Sequence, residues 1–212
     1  MKEKIVEIGF GQGDFLAEQA RSHPENIYIG FEVPSLLTNA IEKPKLPNLY
    51  FSYSGGVEGL SKLKKSSVST VIMHFVLDDD FTITKWQQYI DSGIYSEQRY
   101  SKLENRQKDK EINDLFDQDR NNLLSSVRRV LCDDGRLHIY TFEHNLSRTK
   151  KYLERAGFEY EFKKSTNEEI SQSQHMREVV AKTATRDPFY RGSTIYTIIA
   201  KKDLPQRLLP SK

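Results

Sequence analysis

Three glycines at alternate positions, Gly9, Gly11 and Gly13, follow an apolar run of Ile5, Val6 and Ile8. Leu16, Ala17 and Ala20 come next, at helical spacing. The order is strand, tight glycine turn, helix start. Such a turn brings bare backbone close to a ligand, and the helix start offers it unpaired N–H groups. A second apolar strand, Ile27 to Phe31, ends in Glu32. An acid in that place can take the two hydroxyls of a ribose. The chemistry implied is the binding of a nucleoside-bearing cofactor. The bland alternative is a structural glycine turn with no ligand.

A dinucleotide fingerprint wants Gly-x-Gly-x-x-Gly, with its third glycine one turn into the helix. Here Asp14 stands in that place, and Glu7 stands two residues before the first glycine. A pyrophosphate disfavours a nearby carboxylate. The cationic methionyl end of S-adenosylmethionine tolerates one, which favours that cofactor over NAD. The run from Glu7 through Gly9, Gly11 and Gly13 resembles motif I of the class I S-adenosylmethionine-dependent methyltransferases.

The likeness sharpens over Glu7 to Val33. Glu7-Ile8-Gly9-Phe10-Gly11-Gln12-Gly13-Asp14-Phe15-Leu16, then His23-Pro24-Glu25-Asn26, then Tyr28-Ile29-Gly30-Phe31-Glu32-Val33, is similar to the start of the tRNA (guanine N-7) methyltransferase family. Asn48-Leu49-Tyr50 and the stretch Val130 to His138 resemble later parts of it, and Thr185 to Gly192 resembles its C-terminal Thr-x-Phe-Glu-x-Arg-Gly segment. The resemblance implies cofactor contacts at Glu7, Gly9, Gly11, Gly13, Glu32 and, on the adenine side, Gly55. There the family usually has an aspartate. It also implies base or phosphate contacts from Thr185 and Arg191. The family's Asp-Pro-Trp-Pro segment after strand four is replaced by His74-Phe75-Val76-Leu77-Asp78-Asp79-Asp80.

Methyl transfer to a base nitrogen is an in-line attack on a sulfonium, so it needs positioning and at most one carboxylate to hold or deprotonate the acceptor. Asp78 is the candidate. Asp78 to Asp80 read equally well as a turn or helix cap, and less well as magnesium ligands. If Glu97 to Glu111 is helical, Arg99, Lys102, Arg106 and Lys110 share one face, at steps of three and four. A segregated basic stripe suits a phosphate backbone, with tRNA or another RNA as partner. A solvated helix or loop is the alternative. The five histidines show no metal-ligand spacing, so no metal is expected. His74 ends strand four, where it either lines the crevice or is merely packed and hydrogen-bonded.

These residues need a scaffold. Helices are predicted over Asp14 to His23, Pro34 to Ile41, Val57 to Leu63, Ile112 to Leu131, Leu146 to Ala156 and Asn167 to Lys182. Strands alternate with them, the later ones being Leu49 to Tyr53, Val68 to Phe75, Arg136 to Thr141, Phe158 to Phe162 and Ser193 to Lys201. The expected fold is α/β, a doubly wound, mostly parallel seven-stranded sheet with helices on both faces, Rossmann-like in the class I methyltransferase manner. Residues 1–202 read as one methyltransferase-like domain with a charged helical insertion at about 94–111, and 203–212 as a tail.

The chain has 212 residues, 29% of them charged, and a net charge of +2. That charge is too small to prove a polyanion partner without local segregation. The single cysteine, Cys132, excludes an intrachain disulfide and a multi-cysteine zinc site. No apolar run approaches a membrane span, and Glu3 and Glu7 interrupt the only apolar segment near the start, so a cytoplasmic protein is expected. The functional expectation is an S-adenosylmethionine-dependent methyltransferase acting on tRNA or another RNA. Open alternatives are a catalytically degenerate RNA- or protein-binding module and a small-molecule methyltransferase.

Overall fold

The computed structural model describes residues 2–32, 44–77, 104–171, 176–177 and 194–203, with the side chains of 104–113, 115 and 116 outside the description. Seven strands form one sheet: β1 (Lys4–Ile8), β2 (Ile27–Phe31), β3 (Leu49–Ser52), β4 (Val68–His74), β5 (Leu131–Phe142), β6 (Phe158–Lys164) and β7 (Ile195–Lys202). Their order across the sheet is β3-β2-β1-β4-β5-β7-β6. The first five run parallel, and β7 runs antiparallel to both β5 and β6. The reversal of order between β1 and β4 opens a crevice at their carboxyl ends.

Among the described residues the α-helices are α1 (Asp14–Ser22), α2 (Gly56–Ser61), α3 (Glu104–Val130), α4 (Leu146–Arg155) and α5 (Asn167–Ser171). Strand periodicity sorts the core into two layers. Val6 and Ile8 of β1 face a layer with Leu60, Leu123, Leu124, Val127, Val130, Tyr152 and Leu153, so α2, α3 and α4 cover that face. Ile5 faces the other layer with Phe15, Leu16, Ala17 and Ala20 of α1. Each large apolar side chain buried this way contributes about 1.5–3 kcal/mol over its exposed state.

Several boundaries differ from those the sequence predicts. Helix α1 begins at Asp14 as expected and ends one residue early, at Ser22; Gly13, in the left-handed region, takes the N-terminal cap position. The charged stretch and the amphipathic stretch are one 27-residue helix from Glu104 onward. Strand β5 begins at Leu131, because Asp133-Asp134-Gly135 lies within it as a bulge: β4 advances from Val68 to Thr70 while β5 advances from Leu131 to Arg136. Strand β6, at the sheet edge, runs on to Lys164 and is mostly exposed. The last two strands pair antiparallel at the edge, with β7 inserted between β5 and β6. The predicted helix at Pro34 to Ile41, most of the one at Asn167 to Lys182, and the tail beyond Asp203 lie outside the described residues.

Candidate functional site

The glycine turn joins β1 to α1 at the crevice. Gly9 donates its N–H to the Phe31 carbonyl at 2.8 Å, and Gly13 donates to Phe10 at 2.8 Å. All three glycines have positive φ, at 76°, 52° and 78°. Two are hemmed in. A Cβ on Gly9 would stand 2.8 Å from Val76 Cγ2, and one on Gly13 would stand 2.7 Å from Phe51 Cζ. Gly11 differs: a Cβ there would meet nothing within 4 Å among the described residues. Among the described residues nothing crowds the Cα of Gly11 on its side-chain side, which suits a close ligand approach.

Glu32 follows β2 and is 5% exposed. Its Oε2 accepts the Gly11 N–H at 2.8 Å, which ties the acid at the end of the second strand to the turn. A carboxylate has about four acceptor sites, so a glycine N–H and the vicinal hydroxyls of a ribose are compatible on it. Gly55 caps α2 after β3.

Glu7 lies in the layer under α1, where the alternation of β1 calls for an apolar side chain. It is 2% exposed, and His74 at the end of β4 is 5% exposed. His74 Nδ1 and Glu7 Oε1 are 2.8 Å apart. The second oxygen, Oε2, is buried with no hydrogen-bond partner. The His74 ring stacks on Tyr140, with centroids 4.8 Å apart and planes at 16°, and meets the edge of Phe15 at 5.1 Å. Burial raises the Glu7 carboxyl above its ordinary range, and the His74 hydrogen bond opposes this. Burial, then the Glu169 and Glu7 carboxylates, push the Tyr140 phenol up to about 12. A buried acid with a spare oxygen, bare backbone at Gly11 and a carboxylate at Glu32 suit a ligand with vicinal hydroxyls and a cationic group.

Beyond His74 the backbone turns sharply. Phe75 has φ 60°, a conformation costing a bulky residue of order 1–3 kcal/mol. Stacking of its ring on Phe142, with centroids 4.6 Å apart, holds it there. Leu77 is buried, and its carbonyl accepts the Nε–H of Arg120 at 3.1 Å. Arg120 itself is 6% exposed, and its NH1 lies 3.4 Å from the Tyr152 hydroxyl, which donates to Asp117.

The turn thus brings together Glu7, Gly9, Gly11, Gly13 and Glu32, with Gly55 at the end of the neighbouring strand. Asp78, Arg99, Lys102, Thr185 and Arg191 lie outside the described residues. Arg106 and Lys110 lie on α3, their side chains outside the description. Sequence reasoning missed Arg120. A signal existed, because Arg120 sits on the apolar stripe running through Phe116, Leu124 and Val127 at helical spacing. Among the described residues no group of His, Cys, Asp and Glu side chains gathers as a metal site, and no helix is long and apolar enough to cross a membrane.

Residues 1–77 match a family model described as "Putative methyltransferase". The tRNA (guanine-N(7)-)-methyltransferase of Pediococcus pentosaceus is 33% identical over 76 residues, 34% of this chain and 35% of that protein. The protein of the same name from Geobacillus thermodenitrificans is 24% identical over 156 residues, 69% of this chain and 59% of that one. In its better-matched stretch the chain spans about a third of the length of such curated relatives. Among solved structures, a SAM-dependent methyltransferase from Archaeoglobus fulgidus aligns over 95% of this chain and 86% of its own, with a TM-score of 0.53 and 16% identity. That likeness gives the fold alone, a doubly wound, mostly parallel seven-stranded sheet with helices on both faces.

Proposed function

We infer that this chain, a divergent member of the tRNA (guanine N-7) methyltransferase family by its N-terminal third, binds S-adenosylmethionine at the glycine turn and methylates RNA, with tRNA guanine N-7 the first candidate. The observation that carries this reading is the Gly11 N–H on Glu32, which sets a ribose-binding acid against bare backbone in the crevice between β1 and β4. The residues present fit the cofactor. Glu32 suits the ribose hydroxyls, Gly11 suits close passage of the ligand over the turn, and the spare oxygen of Glu7 suits a cationic end. Gly55 borders the adenine side.

The cofactor, when bound, supplies an electrophilic methyl group on a sulfonium. The protein's part is to hold the acceptor nitrogen in line and keep water out. Asp78, just past Leu77, is assigned to orient or deprotonate the acceptor. Arg120 fixes the backbone leading to it. Arg99, Lys102, Arg106 and Lys110 are assigned to the RNA backbone, and Thr185 and Arg191 to the base or a phosphate. Work on tRNA fits a cytoplasmic location.

Calorimetric titration with S-adenosylmethionine and S-adenosylhomocysteine, followed by methyl incorporation from labelled cofactor into total tRNA, tests this. Binding in both titrations with label in tRNA is the expected result, and Glu32→Ala weakens the affinity. No binding at millimolar cofactor overturns the enzyme reading. Binding without incorporation into any RNA overturns the assigned acceptor.

A further inference from the structure

The layer under α1 contains a polar pair where its neighbours are apolar. Glu7 and His74 sit on adjacent parallel strands, with Glu7 beside Ile72 and His74 two residues further toward the crevice. Ile5, Phe15, Ile72 and Tyr140 share the layer. A buried ion pair is poor value for stability compared with an apolar pair of the same volume. Here the pair is also incomplete, since Glu7 Oε2 is buried and unpartnered. An orphaned carboxylate oxygen of that depth costs free energy unless some state of the protein uses it.

Charge bookkeeping indicates which state. Sharing one proton, the pair is neutral. It becomes a net anion only when Glu7 is ionised and His74 is neutral. The groups facing it do not favour that anion. Asp14 of α1 raises the Glu7 carboxyl further, and the Tyr140 phenol on β5 lies under the influence of Glu169 of α5 and of Glu7 itself. A cation reaching Glu7 Oε2 would reverse the balance.

We propose that the Glu7–His74 pair gives up its shared proton to solvent when the ammonium group at the amino-acid end of the cofactor binds, so that affinity rises with pH. The inference rests on the cofactor reading above and adds to it His74 as a positioning residue for the buried acid. His74 holds Glu7 by Nδ1 while its ring is clamped between Tyr140 and Phe15, so the carboxyl is kept in place whichever charge it carries.

The test is calorimetry of S-adenosylhomocysteine binding at pH 6, 7 and 8, each in two buffers of different ionisation enthalpy. Wild-type protein is expected to release protons on binding, and its affinity to fall about tenfold for each pH unit below the pair's titration. Glu7→Gln keeps a hydrogen-bond partner for His74 but cannot ionise; proton release is lost and the affinity profile flattens. Wild-type binding with no proton release at any of the three pH values overturns the inference alone. So does a folded Glu7→Gln protein that releases as many protons as wild type. Failure of wild type to bind at every pH overturns the cofactor reading and this inference with it. The wild-type proton count stands by itself if the variant does not fold.

Discussion

Arg120 reaches from the middle of α3 to the end of β4, where its Nε–H meets the Leu77 carbonyl at 3.1 Å. The same guanidinium lies over the Tyr152 ring, 5.6 Å from its centroid. One buried cation thus ties the long helix to α4 and to the backbone just past β4.

Arg120→Met is expected to cost about 2–4 kcal/mol of stability, since a hydrogen bond to a charged group contributes about 1.5–3 kcal/mol and the Leu77 carbonyl is left short of a donor. Arg120→Lys restores little, because an ammonium cannot reproduce the guanidinium fork. Urea denaturation reads both. A Lys variant as stable as wild type would show that charge alone suffices.

Gly11→Ala and Gly13→Ala separate two uses of one turn. Both place alanine in the left-handed region, at about 1–2 kcal/mol. Gly13→Ala also drives a methyl into Phe51, which packs on Phe10, for a total of about 2–4 kcal/mol. Gly11→Ala lacks that clash among the described residues yet adds a methyl on the side of the turn assigned to the ligand. The expected pattern is a modest loss of stability with at least tenfold weaker S-adenosylhomocysteine binding at Gly11, and the larger stability loss at Gly13. Unchanged affinity in Gly11→Ala would remove the ligand from that side of the turn.

Glu7→Gln tests the buried acid without any ligand. Burial raises the folded carboxyl above its ordinary 4.5, the His74 hydrogen bond opposing it. The folded chain therefore keeps this proton to higher pH than the unfolded chain. Stability from this group is full below about 4.5 and is lost as pH rises through the folded value. Glutamine has no such loss, so the stability of Glu7→Gln relative to wild type is expected to rise between pH 5 and pH 8. Chemical denaturation at the two pH values measures it, and an equal difference at both would refute the assignment.

Charge reversal at Arg99, Lys102, Arg106 and Lys110 is expected to weaken RNA binding and to flatten its salt dependence. Each lost phosphate contact reduces the slope of log affinity on log salt by about 0.7–0.9, so four reduce it by about 3. Filter binding of tRNA from 50 to 200 mM salt is the measurement. An unchanged slope would take the stripe off the RNA.

The parallel half of the sheet was legible because a strand buried on both faces must be apolar throughout, as Val71, Ile72 and Met73 are, and a glycine turn must follow β1. The β5 bulge was not legible, because Asp133-Asp134-Gly135 has the composition of a turn. Only the pairing of Thr70 with Arg136 after Val68 with Leu131 shows that the strand continues through it. The insertion of β7 between β5 and β6 is a long-range pairing that no local pattern encodes. In the site, spacing alone yielded the glycines and Glu32. The Glu7–His74 contact depends on two strands lying side by side, and nothing in either segment states that.

The place of β7 has a consequence for synthesis on the ribosome. Strand β6 pairs with β7 and with no other described strand, and β7 covers the outer edge of β5. Until residues 195–202 are made, the nascent chain carries a long strand with an open edge and a second strand with no neighbour, the condition that invites pairing with another chain. At ordinary elongation rates the interval from the end of β5 to the end of β7 lasts roughly several seconds. The parallel half, with the glycine turn, is translated before that interval begins; the sheet is sealed only after it ends.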